Sequence, residues 1–359
     1  MKYIFSDSNI YFDNWHLDNA AFILLINTIK NSESVFLASE IVCKEVQNLY
    51  DREKKKAISE LKKSYEKAQK FNKNRTPFDP SSFELAYDFK ELLKEKIEFI
   101  EFFGFDNVSN NLVVNRAIEK KLPFRDNEKG FRDTMIWLSL LIFLKDKTEV
   151  DEVFFISKNK NDFYTGENFH EDLLEDFKTY GIKCKITIFH TLNDFIKERV
   201  ETDEFEFTNE SISDQLDDIS REIEKDVIFE ADIMQTSEFK RMWQASESFL
   251  RYTNTLLNHN FEIDEGIEDG VVTSYKRLSK NTLYVDYSFN LRRCTLELTI
   301  TAEEYIQHKK AIEIFYVSSS LEGDKAFLYH YCRPDLTVSF IYDIEKKTIS
   351  GFEILTIKL

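Results

Sequence analysis

At 359 residues, 42% of them hydrophobic and 31% charged, the chain is long enough for two domains or a little more, and its formal net charge is -17. No apolar run approaches the ~20 residues of a membrane span; the densest, Met135 to Leu144, is about half that, which excludes a helical membrane protein. Cys43, Cys184, Cys294 and Cys332 are far apart, with no paired spacing and no histidine at zinc-finger distance, which excludes a disulfide framework and a structural zinc.

Lys2 to Phe5 reads as a short buried strand ending at Asp7, and the apolar spacing of Leu17, Ala20, Ala21, Leu24 and Leu25 makes Asn14 to Thr28 a helix. MKYIFSDS is too short and too soon polar for a secretory signal, so the expected location is the cytoplasm. Val35 to Ala38 predicts a second strand. A helix follows from about Ser39, with Ile41, Val42, Val46 and Leu49 on its apolar side. From Tyr50 to Leu122 the alternation breaks into a helical insertion: a Lys-rich helix, the loop RTPFDPSS, a helix opened by Ser81 with Glu84 three residues on and closed by Gly104, and a shorter amphipathic stretch stopping before Pro123. The alternation resumes with a helix Asp133 to Leu144, a strand Glu152 to Ile156, a helix Glu171 to Tyr180 ended by Gly181, and a strand Lys185 to Phe189. Strands alternating with helices imply a parallel sheet, and the expected first domain is 1–200 with its insertion at about 50–122.

Charge is distributed unevenly. Arg52 to Arg75 holds ten basic residues against three acidic, a net of +7, whereas Glu201 to Asp232 holds thirteen acidic against two basic, a net of -11. In 201–232, Ile212, Leu216, Ile219, Ile223 and Val227 recur at helical spacing, which predicts an acidic linker helix with a narrow apolar stripe able to dock. Beyond a helical piece around Phe239 to Leu257, the runs LYVDYSFNL, CTLELTIT, AIEIFYVSSS, FLYHYC, LTVSFIYDI and FEILTIKL alternate apolar and polar residues. They predict a mostly antiparallel, β-rich α+β domain at 233–359.

The chemistry-bearing residues lie in the first part: Asp7 in FSDSN, Glu45 in SEIVCKEV, Asp133 in GFRDTMIW, and Asn159 with Asp162 in FFISKNKNDF. Each has an ordinary alternative, such as a turn aspartate, a solvated helix glutamate or an acid in a helix's first turn; their joint occurrence carries the weight. Carboxylates that follow strands and open helices meet at the carboxyl edge of an open parallel sheet. Hard oxygen donors there suit Mg²⁺ or Mn²⁺, ions that activate water and neutralise charge on a phosphate. At these residues the sequence resembles the PIN-domain (PIN-like) nucleases over roughly the first 200 residues. The resemblance implies a parallel sheet flanked by helices, and a metal-dependent endoribonuclease that hydrolyses phosphodiester bonds, RNA in preference to DNA. It makes Asp7, Glu45 and Asp133 catalytic metal ligands. The fourth family acid falls where this chain has Asn159, with Asp162 three residues on, so either completes the shell.

Lys54, Lys55, Lys62 and Lys63 on the Lys-rich helix, together with Arg132, are the expected nucleic-acid contacts, set against the plain reading of a solvated surface helix. Two settings stay open. In one the chain is a toxin–antitoxin or antiviral-defence effector, with a protein partner or regulator acting through the C-terminal domain. In the other it is a catalytically weak PIN-like module that binds nucleic acid or protein.

Overall fold

The computed structural model describes residues 1–12, 14–32, 34–74, 76–83, 86–124, 130–166, 168–200, 218–225, 229, 233–234 and 256–358. The chain divides into two compact units, Met1–Asp18 with Phe22–Val200, and Asn19–Ala21 with Glu201–Leu359.

The first unit is built on a five-stranded sheet of order β3-β2-β1-β4-β7. Its strands are β1 (Lys2–Ser6), β2 (Ser34–Ser39), β3 (Ile100–Phe103), β4 (Glu152–Ile156) and β7 (Lys185–Phe189), and every pairing is parallel. A two-stranded hairpin, β5 (Tyr164–Thr165) with β6 (Asn168–Phe169), stands apart from it. Tyr3, Ile4, Phe5 and Ser6 of β1 are all buried, the continuous run expected of a central strand covered on both faces. From β1 the chain proceeds through β2 to β3 on one side, and through β4 to β7 on the other. The topological switch point, where such sheets open a crevice at their carboxyl edge, therefore lies between β1 and β4.

The flanking helices are α1 (Ala20–Lys30), α2 (Glu40–Gln69), α3 (Phe89–Lys96), α4 (Asn110–Ile118), α5 (Phe131–Leu144), the single turn α6 (Lys160–Phe163), α7 (Glu171–Tyr180) and α8 (Leu192–Arg199). Ser39 caps α2 by accepting from the Ile41 amide at 3.2 Å, and α2 then runs 30 residues without a break. Only Val42, Cys43 and Val46 of α2 are buried, so its later turns extend past the core. Trp137 of α5 is the centre of an aromatic cluster with Phe155, Phe163, Phe169 and Phe177. Its indole donates to Asp176 of α7 at 2.8 Å, and Arg116 of α4 ion-pairs with the same carboxylate at 2.7 Å. One buried acid thus ties three helices together.

The expected helix from Ser81 to Gly104 is overturned. A 3-10 turn spans Ser81–Phe83, α3 begins only at the Asp88 cap, and Ile100–Phe103 is a strand on the edge of the sheet; Glu84, the other half of the expected capping box, lies outside the described residues. A four-residue apolar run fits helix or strand by pattern alone, and the open edge of β2 decides between them through Phe36↔Ile100 and Ser39↔Phe103 pairing.

The second unit is an antiparallel sheet of order β10-β11-β9-β12-β13 with β8 also paired to β9. The strands are β8 (Leu256–Arg277), β9 (Thr282–Thr301), β10 (Ser318–Glu322), β11 (Lys325–Cys332), β12 (Asp335–Asp343) and β13 (Thr348–Lys358), with α9 (Ala302–Phe315) between β9 and β10. Three expectations change here. LYVDYSFNL and CTLELTIT are one long strand. AIEIF is the last turn of α9, which Thr301 caps and Glu303 and Glu304 favour in its first turn. Residues 256–277, the first two expected to close a helical piece and the rest assigned to no element, form a strand interrupted by register shifts. Most of the acidic linker and of the helical piece at 239–257 lies outside the described residues. The part described, 218–224, is helical, and Ile219 and Ile223 join the sheet's own core. Its acids are used locally as well: Asp218 pairs with Lys347 at 2.9 Å, and Glu224 accepts from the Ile267 amide at 2.9 Å.

Candidate active site

Asp7 leaves the end of β1, where its amide donates to the Ile156 carbonyl of β4 at 2.9 Å. Its carboxylate is 2% exposed and, among the described residues, is held by neutral donors: the Ser8 amide at 2.7 Å, the Asn9 amide side chain at 2.8 Å and the Ser157 hydroxyl at 2.7 Å. Asn9 also accepts from the Lys158 amide at 3.0 Å, which staples the turn after β1 to the turn after β4. Burial, reinforced by the charges of Asp133 and Glu45, pushes the Asp7 carboxyl up to about 7.

Asp133 sits in the first turn of α5 and accepts from the Asn159 side chain at 3.1 Å. Burial first, then the charges of Asp162 and Glu45, raise its carboxyl above the usual range. Glu45, from the buried end of α2, is paired to Arg132, the neighbour of Asp133. Glu40, the other acid of that helix start, is instead turned to Lys90 at 2.9 Å. Asp133 is thus the hub: it interacts electrostatically with Asp7, Glu45 and Asp162 and hydrogen-bonds Asn159, and Glu45 also acts on Asp7.

Among the described residues, no three histidine, cysteine, aspartate or glutamate side chains are gathered closely enough to hold a metal ion. Asp7 is turned onto Ser8, Asn9 and Ser157, Glu45 onto Arg132, and Asp133 onto Asn159. The donor chemistry nonetheless fits a hard divalent cation. Every candidate ligand is oxygen, the set is anionic, and among the described residues no cation pairs with Asp7 to offset its burial.

Ser157 is the site member that sequence reasoning missed. Fully buried at the end of β4, it donates to Asp7 and accepts from the Asn159 amide at 3.1 Å. Its one signal is its place directly after an apolar strand. Of the expected nucleic-acid contacts, Lys54, Lys55, Lys62 and Lys63 are on α2, Lys54 with its ammonium 5.6 Å from the Tyr50 ring, and Arg132 is on the rim.

Gly130 sets the start of α5. Its φ of 92 lies in the left-handed region, and a Cβ there would run into the Pro123 carbonyl. Gly130→Ala is expected to cost about 1–3 kcal/mol in strain and to displace Arg132 and Asp133 together. Differential scanning fluorimetry alongside a cleavage assay checks this, and unchanged values in both would show that the turn has slack.

The family model of the PIN domain matches residues 4–163, which identifies the N-terminal unit as PIN-like. PIN domains are a nuclease-type family that typically employs divalent metal ions. The match spans β1 to α6 and so includes all five candidate site residues. No curated protein and no solved structure matches the chain.

Proposed function

We propose that the N-terminal unit is a divalent-metal-dependent nuclease that hydrolyses phosphodiester bonds, RNA in preference to DNA. The observation that carries this reading is a buried aspartate at the sheet's switch point, repelled by further carboxylates and held, among the described residues, by neutral donors. Asp7, Glu45 and Asp133 would hold the cation, with Asp162 or the Asn159 oxygen completing the shell. Magnesium or manganese bound there would lower the pKa of water and offset charge on the phosphoryl oxygens.

The protein's own groups do the rest. Ser157 and Asn9 fix the rotamer of Asp7, and Asn159 aims Asp133. Arg132 pairs with Glu45; were that glutamate to hold the cation, Arg132 would be free to contact a phosphate beside the start of α5, where the helix dipole also favours negative charge. The preference for RNA rests on the family resemblance. A toxin or defence effector controlled through the C-terminal unit is the biological setting we favour.

The second reading, a PIN-like binder with weak catalysis, is favoured by the neutral Asn159 at the fourth acid position and by carboxylates that are each satisfied locally. Incubation with single-stranded RNA and DNA, in Mn²⁺, in Mg²⁺ and in chelator, separates the two. Metal-dependent shortening of RNA is expected. Retention of intact strand in every metal, with a mobility shift, would establish the binder instead.

A further inference from the structure

We propose that the exposed half of α2 is a phosphate rail that seats a single nucleic-acid strand along one line leading to Glu45. The proposal rests on the nuclease reading only for its direction, since the rail can be tested without cleavage. An α-helix turns through about 100° per residue, so Arg52, Lys56, Lys63 and Lys67 all point within about 40° of the direction of Glu45. Lys54 points to the opposite side of the helix, and Lys55 and Lys62 lie about a quarter turn away. The row, not the whole basic run, is therefore continuous with the acidic site.

Three observations support this. First, Lys56, Lys63 and Lys67 are exposed and, among the described residues, have no acidic partner, although the chain as a whole carries -17. Arg52 meets its neighbour Glu53, at 3.2 Å. Second, Arg52 with Lys56 and Lys63 with Lys67 are like charges four residues apart, a repulsion that Glu60 and Glu66, about 60° to either side of the row, offset only in part, since Glu66 pairs with Lys62 and neither acid forms an ion pair with the row among the described residues. Third, the back of the helix is already braced. Tyr65, on the side away from the row, hydrogen-bonds Thr76 at 2.6 Å and packs on Phe78 with ring centroids 5.6 Å apart, so the returning loop leaves the basic side open.

From Glu45 to Lys67 a straight helix advances roughly 33 Å, room for about ten nucleotides at the stacked rise of about 3.4 Å. A duplex strand winds away from a straight rod within part of a turn, whereas a single strand can follow it. The occupant is accordingly a single strand held by its backbone, in a footprint extending to one side of the cut.

The test is equilibrium binding by fluorescence anisotropy in chelator, where no cleavage occurs. Labelled single-stranded RNA of about ten nucleotides is compared with a strand half as long, with single-stranded DNA, and with a duplex of the same length. The triple variant Lys56→Glu, Lys63→Glu, Lys67→Glu is expected to bind the longer single strands at least tenfold more weakly, with a salt slope smaller by about 2 in log–log units. The half-length strand should lose less. A control triple at the exposed Lys96, Lys145 and Lys183 makes the same charge change elsewhere on the unit, and circular dichroism confirms that both variants fold. Equal losses in the two triples, no loss in either, or a duplex bound as tightly as the single strand would each overturn the rail. If wild-type protein binds along the row yet never cleaves in metal, the rail stands and the nuclease reading falls.

Discussion

Asp7→Asn is expected to lower metal-dependent cleavage by on the order of a thousandfold, the scale of removing a preorganised charge from a reacting centre, while making the metal-free protein more stable at pH 8. The two effects share one cause. The Asp7 carboxyl is raised to about 7 by burial, whereas in the unfolded chain it titrates near the ordinary aspartate value of 3.8. Between those values the folded protein keeps a proton that the unfolded chain has released, so wild-type stability falls as pH rises through this window and levels off above it. The full penalty is about 4 kcal/mol. Asparagine carries no such penalty, but its amide group faces donors that served a carboxylate, which returns about 1 kcal/mol. The stability difference should therefore be largest near pH 8 and close near pH 4. A divalent cation should raise the melting temperature of wild type and leave that of the variant unmoved. Wild-type rates in the variant would remove Asp7 from the site. Lower stability at pH 8 would mean that its local hydrogen bonds outweigh its burial.

Asp176→Ala is expected to cost about 3–5 kcal/mol, the range for breaking a buried ion pair from one side, and so to consume much of the stability of the N-terminal unit. The carboxylate accepts from the Trp137 indole and from Arg116, and both Arg116 and Asp176 are 5% exposed. Its removal strands a guanidinium whose other partner is the Leu122 carbonyl at 2.8 Å. A second variant, Asp176→Asn, can still accept from the indole but loses the charge, and should fall between alanine and wild type. Urea denaturation followed by tryptophan fluorescence reads this directly, as a lower midpoint with an unchanged slope. A shift below 1 kcal/mol in the alanine variant would show that water reaches Arg116. Asp176 lies far in sequence from its partners, and nothing in the pattern of EDLLEDF distinguishes it from the exposed acids of the same helix.

Elements that follow from local pattern were legible beforehand. Short apolar runs marked β1 and β4, which the structure buries, and the alternating KITIF marked β7, a half-exposed edge strand, while Gly181, at φ 64, ended α7 where a left-handed residue was expected. The acids Asp7 and Asp133 were legible because each follows a strand or opens a helix, positions that a parallel sheet brings to one edge. The sequence was ambiguous where two local rules competed. The run 100–103 suits a helix or a strand, AIEIF alternates like a strand yet closes α9, and β8 has alternation too weak and too interrupted to stand out.

By itself, then, the amino-acid order determined the fold class, parallel α/β followed by antiparallel β, and pointed to the acids as candidates, because hydrophobic period and strand-end placement are properties of neighbours along the chain. Only the tertiary structure decided which groups those acids face. Ser157 under Asp7, Arg132 against Glu45, Asn159 on Asp133 and Asp176 between three helices are contacts between segments that the sheet order brings together. No periodicity records such pairings. They arise because burying a polar group stabilises the fold only when a partner from elsewhere in the chain arrives to bond it.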